Sequence, residues 1–315
     1  MLKKQRKTRI ILVIIIAVLI YNEYIAYSLK KWFSWPTIHC STSSKCIKIL
    51  LVADPQILGE QYEVYFPRGL ISRWDSDRYI YKVFQKAVSH VDPHVVVFLG
   101  DIMDEGSVAT DDEFKRYIER FHNVFHVNHR AKFVFLPGDN DIGGETEPLS
   151  IRKMKMFQET FKQPDVMHLG HIDMFKVVTQ IRPHAIFSAH DHKSRHISAD
   201  AETGERILAE MLPPNAGPVW QYQLNTGLVH ELMVPTCSYR MGVSNMGFGA
   251  AVIDGTTDTM LYAVLWLPSR FWQLYMYIIT LSMICMFIIL ILCQHVWFRI
   301  RHKLRRGANN TKHTV

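Results

Sequence analysis

The sequence has few of the features that mark several common functional classes. Its 315 residues include five cysteines, and no two of them form a C-x-x-C pair, which argues against a cysteine-ligated metal cluster. It has no internal repeat and no low-complexity tract. Outside its long hydrophobic runs, an Asn-x-Ser/Thr glycosylation signal occurs only at Asn309. Any chemistry therefore has to come from other side chains.

Basic charge is scarce in the central part of the chain. The net charge is +7, but eleven of the 36 Lys and Arg residues lie within residues 1–9 and 299–315. The remaining 25 are balanced against 29 Asp and Glu residues, so the middle is mildly acidic. A protein that binds the phosphate backbone carries its basic residues on the folded domain. The sequence therefore argues against nucleic acid as a partner.

A long apolar run lies near the C-terminal end. Leu274–Cys293 contains 20 residues without a charge, which is long enough to cross a bilayer. Tyr275, Tyr277 and Trp297 are placed like the aromatic residues that anchor a span at the membrane interface. The pattern predicts a transmembrane helix over residues 272–297.

The N-terminal apolar run has two interpretations. Ile10–Tyr21 is apolar throughout and continues, after Asn22 and Glu23, as Tyr24–Leu29. Basic residues precede it, as in a cleaved signal peptide, but only a loose match to a small-x-small cleavage site follows. We expect an uncleaved anchor over residues 10–29, with a cleaved signal as the alternative.

The charge of the two tails predicts an orientation. Residues 1–9 and 298–315 are basic, and the positive-inside rule places such tails in the cytosol. A domain over residues 47–268 would then lie in a lumen between two membrane helices. In an oxidising lumen Cys40 and Cys46 could close a small loop, although two unpaired thiols are equally compatible with the sequence.

Four short apolar runs each end at polar side chains suited to metal binding. Such a run is typical of a buried strand that places a side chain at its carboxyl end. Ligands in open α/β sheets bind at that edge, so we expect four strands to bring these side chains to one edge of a sheet. The runs and the residues after them are Ile47–Ala53 with Asp54, Val95–Leu99 with Asp101, Phe133–Leu136 with Asp139, and Ala185–Ser188 with His190 and His192.

Helices and strands alternate in this region. Stripes of apolar residues at helical spacing predict helices, and Thr110 is placed to cap one of them. Asp254-Gly255 predicts a hairpin turn. The fold class is therefore α/β, as a two-layered α/β sandwich flanked by two transmembrane helices. The expected helices are Asp75–His90, Asp111–Phe125 and Ile151–Phe161, the later strands are Leu232–Val234, Phe248–Ile253 and Met260–Leu267, and the loops are 57–73 and 215–231.

The spacing of the polar residues predicts a site for two divalent metal ions. Two ions about 3.5–4 Å apart need a bridging carboxylate, and Asp101 has that position at the end of the central strand. Asp54 and His192 would complete the ligands of one ion, and Asp139 and His190 would reach the other. The two histidines are two residues apart, so in a strand-like segment they face the same side.

These motifs resemble those of the calcineurin-like metallophosphoesterases. With an apolar run at each end, the chain is similar to the metallophosphoesterase 1 branch over residues 48–270. Members of that branch remove an ethanolamine-phosphate side branch from the glycan of glycosylphosphatidylinositol (GPI) anchors. The segments that carry the resemblance are Ala53–Gln56, Leu99–Glu105, Pro137–Gly143, Ala189–His192 and Leu232–Arg240.

The resemblance implies a metallophosphoesterase-type α/β sandwich and a phosphoric diester hydrolase with two divalent ions, Mn²⁺ being expected. It also implies a GPI lipid or a GPI-anchored protein as substrate. The expected location is the membrane of the endoplasmic reticulum or cis-Golgi, with a lumenal domain that acts during ER-to-Golgi transport.

The resemblance assigns supporting roles as well, with some departures. The first motif usually carries histidine where Gln56 stands, so Gln56 is expected to be a weak ligand. In the third motif Asp139 takes the place of an asparagine ligand, and Asn140 replaces a histidine that touches the leaving group. Asn140 can donate a hydrogen bond to a leaving oxygen but cannot protonate it. Asp104 and Asp141 are expected to orient ligands or to fix loops.

One ligand of the family pattern is missing. The family places a further histidine ligand before the final His-x-His motif, and no matching segment lies between Asp141 and His190. We infer that a segment of the family fold is absent near Val178 and Thr179, through alternative splicing, an error in the gene model or real loss. Such a chain would be catalytically impaired, or a membrane-tethered binding protein without activity. The histidines considered as substitutes are His168, His171 and His184.

Overall fold

The computed structural model forms two compact units. One contains the chain ends, Met1–Ile25 and Arg270–Val315, and the other is the domain Ala26–Ser269. The residues described below are 2–40, 46–127, 130–145, 147–163, 183–212, 214 and 219–310.

The order of helices and strands follows the alternation expected from the sequence. The strands are β1 (Cys46–Val52), β2 (Val95–Leu99), β3 (Lys132–Leu136), β4 (Ala185–Ser188), β5 (Arg195–Asp200), β6 (Arg206–Met211), β7 (Trp220–Gln223), β8 (Leu228–Met233), β9 (Gly247–Asp254) and β10 (Thr259–Trp266). The helices are α1 (Leu2–Ile20), α2 (Ala26–Ser34), α3 (Arg68–Val91), α4 (Asp111–Val124), α5 (Asp139–Ile142), α6 (Ile151–Thr160) and α7 (Arg270–Asn310).

The first sheet has six strands in the order β3-β2-β1-β9-β10-β7. Strands β1, β2 and β3 are parallel neighbours, so their carboxyl ends meet at one edge. Strands β9 and β10 form the antiparallel hairpin that Asp254-Gly255 predicts. This sheet therefore places Asp54, Asp101 and Asp139 on adjacent strands.

The second sheet has four strands in the order β4-β8-β5-β6. The expectation that all four ligand-bearing strands share one sheet is wrong, because β4 pairs with β8 in this second sheet. The expectation of a loop over residues 215–231 is also wrong, because β7 and the first half of β8 lie there. A short apolar run signals a strand, but it does not show which neighbour that strand will choose.

Two apolar layers fill the domain. Helices α3 and α4 pack on one face of the first sheet, where rings such as Phe84, Phe98 and Phe121 contact one another. A second layer, which includes Leu51 and Leu232, lies between the two sheets. The α/β sandwich is therefore present, with a helical layer and two sheets.

Helix boundaries agree with the sequence where the cap is local. Thr110 accepts a hydrogen bond from the backbone of Glu113, and Glu113 caps the Thr110 backbone in return, so α4 begins at the predicted residue. Helix α3 begins at Arg68, seven residues before the predicted start, within a segment expected to be a loop. Its first two turns carry exposed apolar residues, so they do not extend the buried stripe on which the prediction depended.

The unit of chain ends contains the C-terminal long apolar helix and the N-terminal one as far as Ile25, and the last part of the N-terminal one, Ala26–Ser34, belongs to the domain. Thr8–Ser34 and Arg270–Arg301 are long and apolar enough to cross a membrane, and they are candidate membrane spans. Within this unit the buried Glu23 and Arg270 form an ion pair of 3.4 Å. In the other unit Cys40 and Cys46 form a disulfide, one of the two alternatives that the sequence left open.

Candidate metal centre

The predicted ligands lie where strands end. Asp54, Asp101 and Asp139 follow β1, β2 and β3, and His190 follows β4. The two sheets approach each other at this edge, as one contact shows: the backbone N–H of His190 donates to Oδ1 of Asp54 at 3.4 Å. Carboxylates from the first sheet and an imidazole from the second therefore face a common space.

Three of these side chains form a group that could hold a cation. Each of Asp101, Asp139 and His190 offers one ligand atom, and these atoms lie within 4.8 Å of one another. Nδ1 of His190 is 3.4 Å from Oδ1 of Asp139. Carboxylate oxygen and imidazole nitrogen are ligands that Zn²⁺ and several other divalent transition metals accept.

Asp54 supplies a direct test of whether this edge fits a metal ion. Its side chain is buried, and its Oδ2 has no hydrogen-bond partner among the described residues. Burial, and then the charge of Asp101, raise the pKa of Asp54 well above its usual value. An unpartnered carboxylate oxygen beside other carboxylates is unfavourable, and a divalent cation would compensate for it. The residues present therefore fit a divalent metal.

Asp101 is held by neighbours from both adjoining loops. Its Oδ1 accepts from the backbone N–H of Asn140 at 3.1 Å, and its Oδ2 lies 3.4 Å from Nε2 of Gln56. Burial, and then the charge of Asp139, raise the pKa of Asp101 to about 6. Gly138 leaves room for this carboxylate, since a Cβ there would lie 2.0 Å from Oδ1 of Asp101.

The backbone around the centre is strained. Residues other than glycine seldom adopt positive φ, which costs about 1–3 kcal/mol when the surrounding structure imposes it, and such residues cluster at functional sites. Predicted site residues from three of the four motifs have positive φ, which supports a functional site at this edge. They are Asp54 (44°), Gln56 (44°), Asp101 (48°), His190 (81°) and His192 (58°).

His192 lies apart from the group formed by Asp101, Asp139 and His190. The segment that carries both histidines is a bend rather than a strand, so the expectation that strand alternation aligns them is wrong. His192 instead lines a cavity of about 330 Å³ together with Ser194. Burial, and then the charge of His190, lower the pKa of His192.

Asn140 and Asp141 lie on α5, directly after Asp139. The Asn140 side chain points towards the centre, with Nδ2 3.5 Å from Oδ2 of Asp101. Asp141 is buried and accepts from three backbone N–H groups, those of Gly138, Ile102 and Met103, so it joins the loops after β2 and β3. Burial, and then the charge of Asp101, raise the pKa of Asp141 to about 8.

Asp104 has different surroundings from the ligand group. Burial, and then the charge of Glu105, raise the pKa of Asp104 to about 6. The carboxylate of Glu105 accepts from the backbone N–H groups of Gln61 and Tyr62, each at 2.8 Å. Glu105, which is not among the predicted site residues, therefore fixes the loop after the first motif.

Two further contacts of the centre are not predicted from the sequence. Oγ1 of Thr236 donates to the backbone oxygen of Asp54 at 2.8 Å, which ties the segment after β8 to the first motif. Oε2 of Glu145 lies 3.5 Å from Nε2 of His190. Each pair is far apart in the chain, so only the folded structure brings it together.

Most of the residues considered as a replacement for the missing histidine ligand lie outside the described residues. His168, His171 and the inferred junction at Val178 and Thr179 are among these. His184 is described and exposed, and it precedes β4, whereas the centre lies after β4. His184 is therefore at the wrong end of the strand to act as a substitute ligand.

Comparison with known proteins gives the family. The model of the calcineurin-like phosphoesterases matches residues 47–210, just over half of the chain. The chain belongs to this family. Membership confirms the predicted metallophosphoesterase fold, and the motifs at Asp54, Asp101, Asp139 and His190 lie inside the matched range.

Relatives of known name support the same assignment. Metallophosphoesterase 1 of Pongo abelii is 29% identical over 159 residues, which cover 48% of this chain and 38% of that protein. The Metallophosphoesterase 1 homolog of Caenorhabditis elegans is 28% identical, over 55% of this chain and 44% of that protein. The chain thus matches less than half the length of these relatives. A solved metallophosphoesterase from Sphaerobacter thermophilus is 12% identical, with a TM-score of 0.38 over 69% of this chain and 88% of that one.

Proposed function

We propose that the chain is a membrane-anchored, metal-dependent phosphodiesterase that removes ethanolamine phosphate from the GPI glycan in the early secretory pathway. The observation that carries the proposal is the group of Asp101, Asp139 and His190 beside the unpartnered carboxylate oxygen of Asp54. Family membership and the relatives named Metallophosphoesterase 1 support this function.

The residues of the centre would have two roles, metal binding and contact with the leaving group. Asp54, Asp101, Asp139 and His190 would hold two divalent ions, with Mn²⁺ as the expected metal. Bound ions would supply Lewis acidity towards a phosphoryl oxygen and would lower the pKa of a water molecule. The Asn140 amide cannot transfer a proton to the leaving oxygen at neutral pH. Its proposed role is therefore to donate a hydrogen bond to that oxygen.

The surroundings of the centre suit a substrate larger than inorganic phosphate. The cavity of about 330 Å³ beside His192 has apolar walls that include Leu212, Val243 and Trp266. Sugar rings pack against such walls, and the Trp266 ring offers the largest aromatic surface among these three side chains. We assign the glycan of the substrate to this cavity.

The proposed location follows from the candidate spans and the basic tails. The part of the domain between the two candidate spans, residues 35–269, would lie in the lumen of the endoplasmic reticulum or cis-Golgi, with both termini in the cytosol. The Cys40–Cys46 disulfide suits an oxidising compartment.

A second candidate function is a membrane-tethered binding protein without activity. It is favoured by the short match to the relatives and by His184, which lies at the wrong end of β4 to complete the ligand set. The two candidates differ in how many metal ions the chain binds and in whether it turns over substrate.

The deciding experiment uses the purified full chain in detergent. Elemental analysis counts the bound ions, and hydrolysis of bis-p-nitrophenyl phosphate measures activity. We expect two ions per chain, and Asp101→Asn should lower turnover by about 100-fold or more, since even partners that only orient ligands cost 10–100-fold. Asp112→Asn, a change at an exposed position on α4, is the matched control and should leave turnover unchanged. At most one ion and no turnover by the unaltered chain would support the second candidate.

The substrate is tested separately in cells. Cells without this chain should accumulate GPI glycans that are heavier by one ethanolamine phosphate. An unchanged glycan mass, together with turnover of the synthetic diester, would keep the phosphodiesterase and overturn the GPI assignment.

A further inference from the structure

A short stretch of the domain exposes many large apolar side chains. It covers the loop before α3 and the first two turns of that helix, and we call it the aromatic segment. Phe66 is 86% exposed and Tyr65 is 77% exposed. Clusters of this kind mark a surface that contacts another molecule or a membrane. The exposed members are Tyr62, Val64, Tyr65, Phe66, Leu70, Ile71 and Trp74.

The aromatic segment lies at the same edge as the metal centre. Helix α3 connects the parallel strands β1 and β2, so it runs opposite to them and begins at the edge where they end. The loop before it is tied to the second motif, since Gln61 and Tyr62 donate backbone hydrogen bonds to the carboxylate of Glu105. The segment therefore borders the site.

The chain enters and leaves the domain next to the same helix. The ring of Tyr27, one residue after the domain begins, lies 6.0 Å from the ring of Tyr79 on α3. The hydroxyl of Tyr79 donates to the backbone oxygen of Pro268 at 2.8 Å, one residue before the domain ends. The first and last residues of the domain are therefore close to Tyr79, five residues after Trp74.

The direction of α3 adds to this placement. Along α2 and α3, Tyr27 lies by Tyr79 and Lys31 bonds to Ser89, so the two helices run parallel. Helix α3 begins at Arg68, about three turns before the level of Tyr79. Within the domain, helix α3 therefore extends past the level at which α2 begins.

We propose that the aromatic segment inserts into the interface of the membrane that carries the two candidate spans and holds the metal centre at the level of the lipid headgroups. Tyr and Trp side chains favour that interface, and Phe and Leu favour the acyl boundary beneath it. Arg68, Arg73 and Arg78 add positive charge that attracts anionic lipids.

The acidic residues of this region are bound within the domain. Glu63 pairs with Arg240, and the hydroxyl of Tyr239 donates to Asp75 at 2.8 Å. The Asp77 carboxylate forms a bidentate salt bridge with the guanidinium of Arg120, and both hydrogen bonds are 2.8 Å long. Two of these three carboxylates, Glu63 and Asp77, are therefore paired with arginines of the domain, which lowers the electrostatic cost of approaching an anionic surface.

The test measures which environment covers the segment in the full chain. Cys285→Ser and Cys293→Ser remove the exposed thiols, and Cys237 stays because it is buried. Tyr65→Cys or Leu70→Cys is then labelled with an NBD fluorophore in vesicles of phosphatidylcholine with some phosphatidylserine. Glu202→Cys is the control, since the turn after β5 lies at the opposite edge of its sheet.

Quenching by doxyl-labelled lipid should be several-fold stronger at Tyr65→Cys and Leu70→Cys than at Glu202→Cys, and quenching by aqueous iodide should show the reverse. Equal iodide quenching at all three positions would overturn the proposal, because the segment would be in water. Protection from both quenchers would also overturn it, because a second copy or another protein would then cover the segment. Neither readout depends on enzyme activity.

Discussion

Nδ1 of His190 lies 3.4 Å from Oδ1 of Asp139, although the two residues follow strands of different sheets. This contact defines the centre more directly than any single motif, because it forms only when the sheets have packed together. Because Asp139 follows a strand of the first sheet and His190 a strand of the second, a substitution at either residue tests the contribution of one sheet to metal binding.

Replacing His190 by alanine should remove metal without unfolding the domain. Its side chain is about half exposed, so little packing is lost, whereas one of the three grouped ligands disappears. We expect fewer bound ions by elemental analysis and an unchanged melting temperature after chelation. His184→Ala, at the other end of β4, is the control and should keep the ions. Full metal content in His190→Ala would contradict the assignment.

Gly138→Ala should disrupt the centre through crowding. A Cβ at Gly138 would lie 2.0 Å from Oδ1 and 2.4 Å from the backbone N of Asp101, so the carboxylate has to move. Overpacking of this kind costs about 1–3 kcal/mol of unfolding free energy, and the ligand geometry is lost with it. Metal titration and chemical denaturation measure the two effects.

The control for that substitution is Gly144→Ala. Its Cβ would meet no atom within 4 Å, so only the strain of a positive φ remains. Stability should fall while metal binding persists. Equal loss of metal in both variants would show that crowding at Asp101 is not the cause.

The metal-free protein should become less stable as the pH rises. Folding raises the pKa of Asp141 to about 8 and that of Asp101 to about 6, above the unfolded value of about 3.9. The folded state then binds more protons than the unfolded state, and this stability is lost as the pH rises through the folded pKa values. Melting temperatures of the chelated protein should fall between about pH 5 and 8.

Adding a divalent metal should reverse this trend, because the cation compensates the ionised carboxylates and binds only the folded state. Asp141→Asn should flatten the pH dependence of the chelated protein. A melting temperature of the chelated protein that rises from pH 5 to 8 would contradict the predicted sign.

Glu23→Ala should destabilise the unit of chain ends. Glu23 and Arg270 are both buried and lie 3.4 Å apart, so removing the carboxylate leaves a buried charge without its partner. Breaking such a pair costs about 3–5 kcal/mol. The melting temperature and the protease resistance of the full chain in detergent measure the loss. The double variant Glu23→Gln with Arg270→Met should recover much of it, and no recovery would show that charge is not the cause.

Strands β1 to β4 could be predicted because their signals are local. Strands β1 to β4 lie within one residue of the apolar runs, and the cap at Thr110 depends on residues three positions apart. Two later strands, β6 in the second sheet and β7 at the edge of the first, could not be predicted. Strand β6 is exposed along its whole length and has no apolar alternation, and β7 contains four residues.

The candidate site shows the same division. Motif spacing identifies Asp54, Asp101, Asp139 and His190, since each directly follows a strand. It does not give the orientation of His192, because a positive φ there is imposed by the folded structure rather than by residue type. The contacts that Thr236 and Glu145 make with the centre could not be predicted for a related reason, since they join distant parts of the chain.

The packing of two sheets at one edge has a consequence for biosynthesis. A nascent chain that has passed β3 already has the carboxylates Asp54, Asp101 and Asp139, but it lacks the imidazole that closes the group. Because His190 completes the group, we expect cation binding to follow the docking of β4 and β8, late in folding. On this expectation, metal content reports whether a molecule has completed its folding. A truncated product that ends before residue 190 would lack the imidazole ligand and would bind the metal ion poorly.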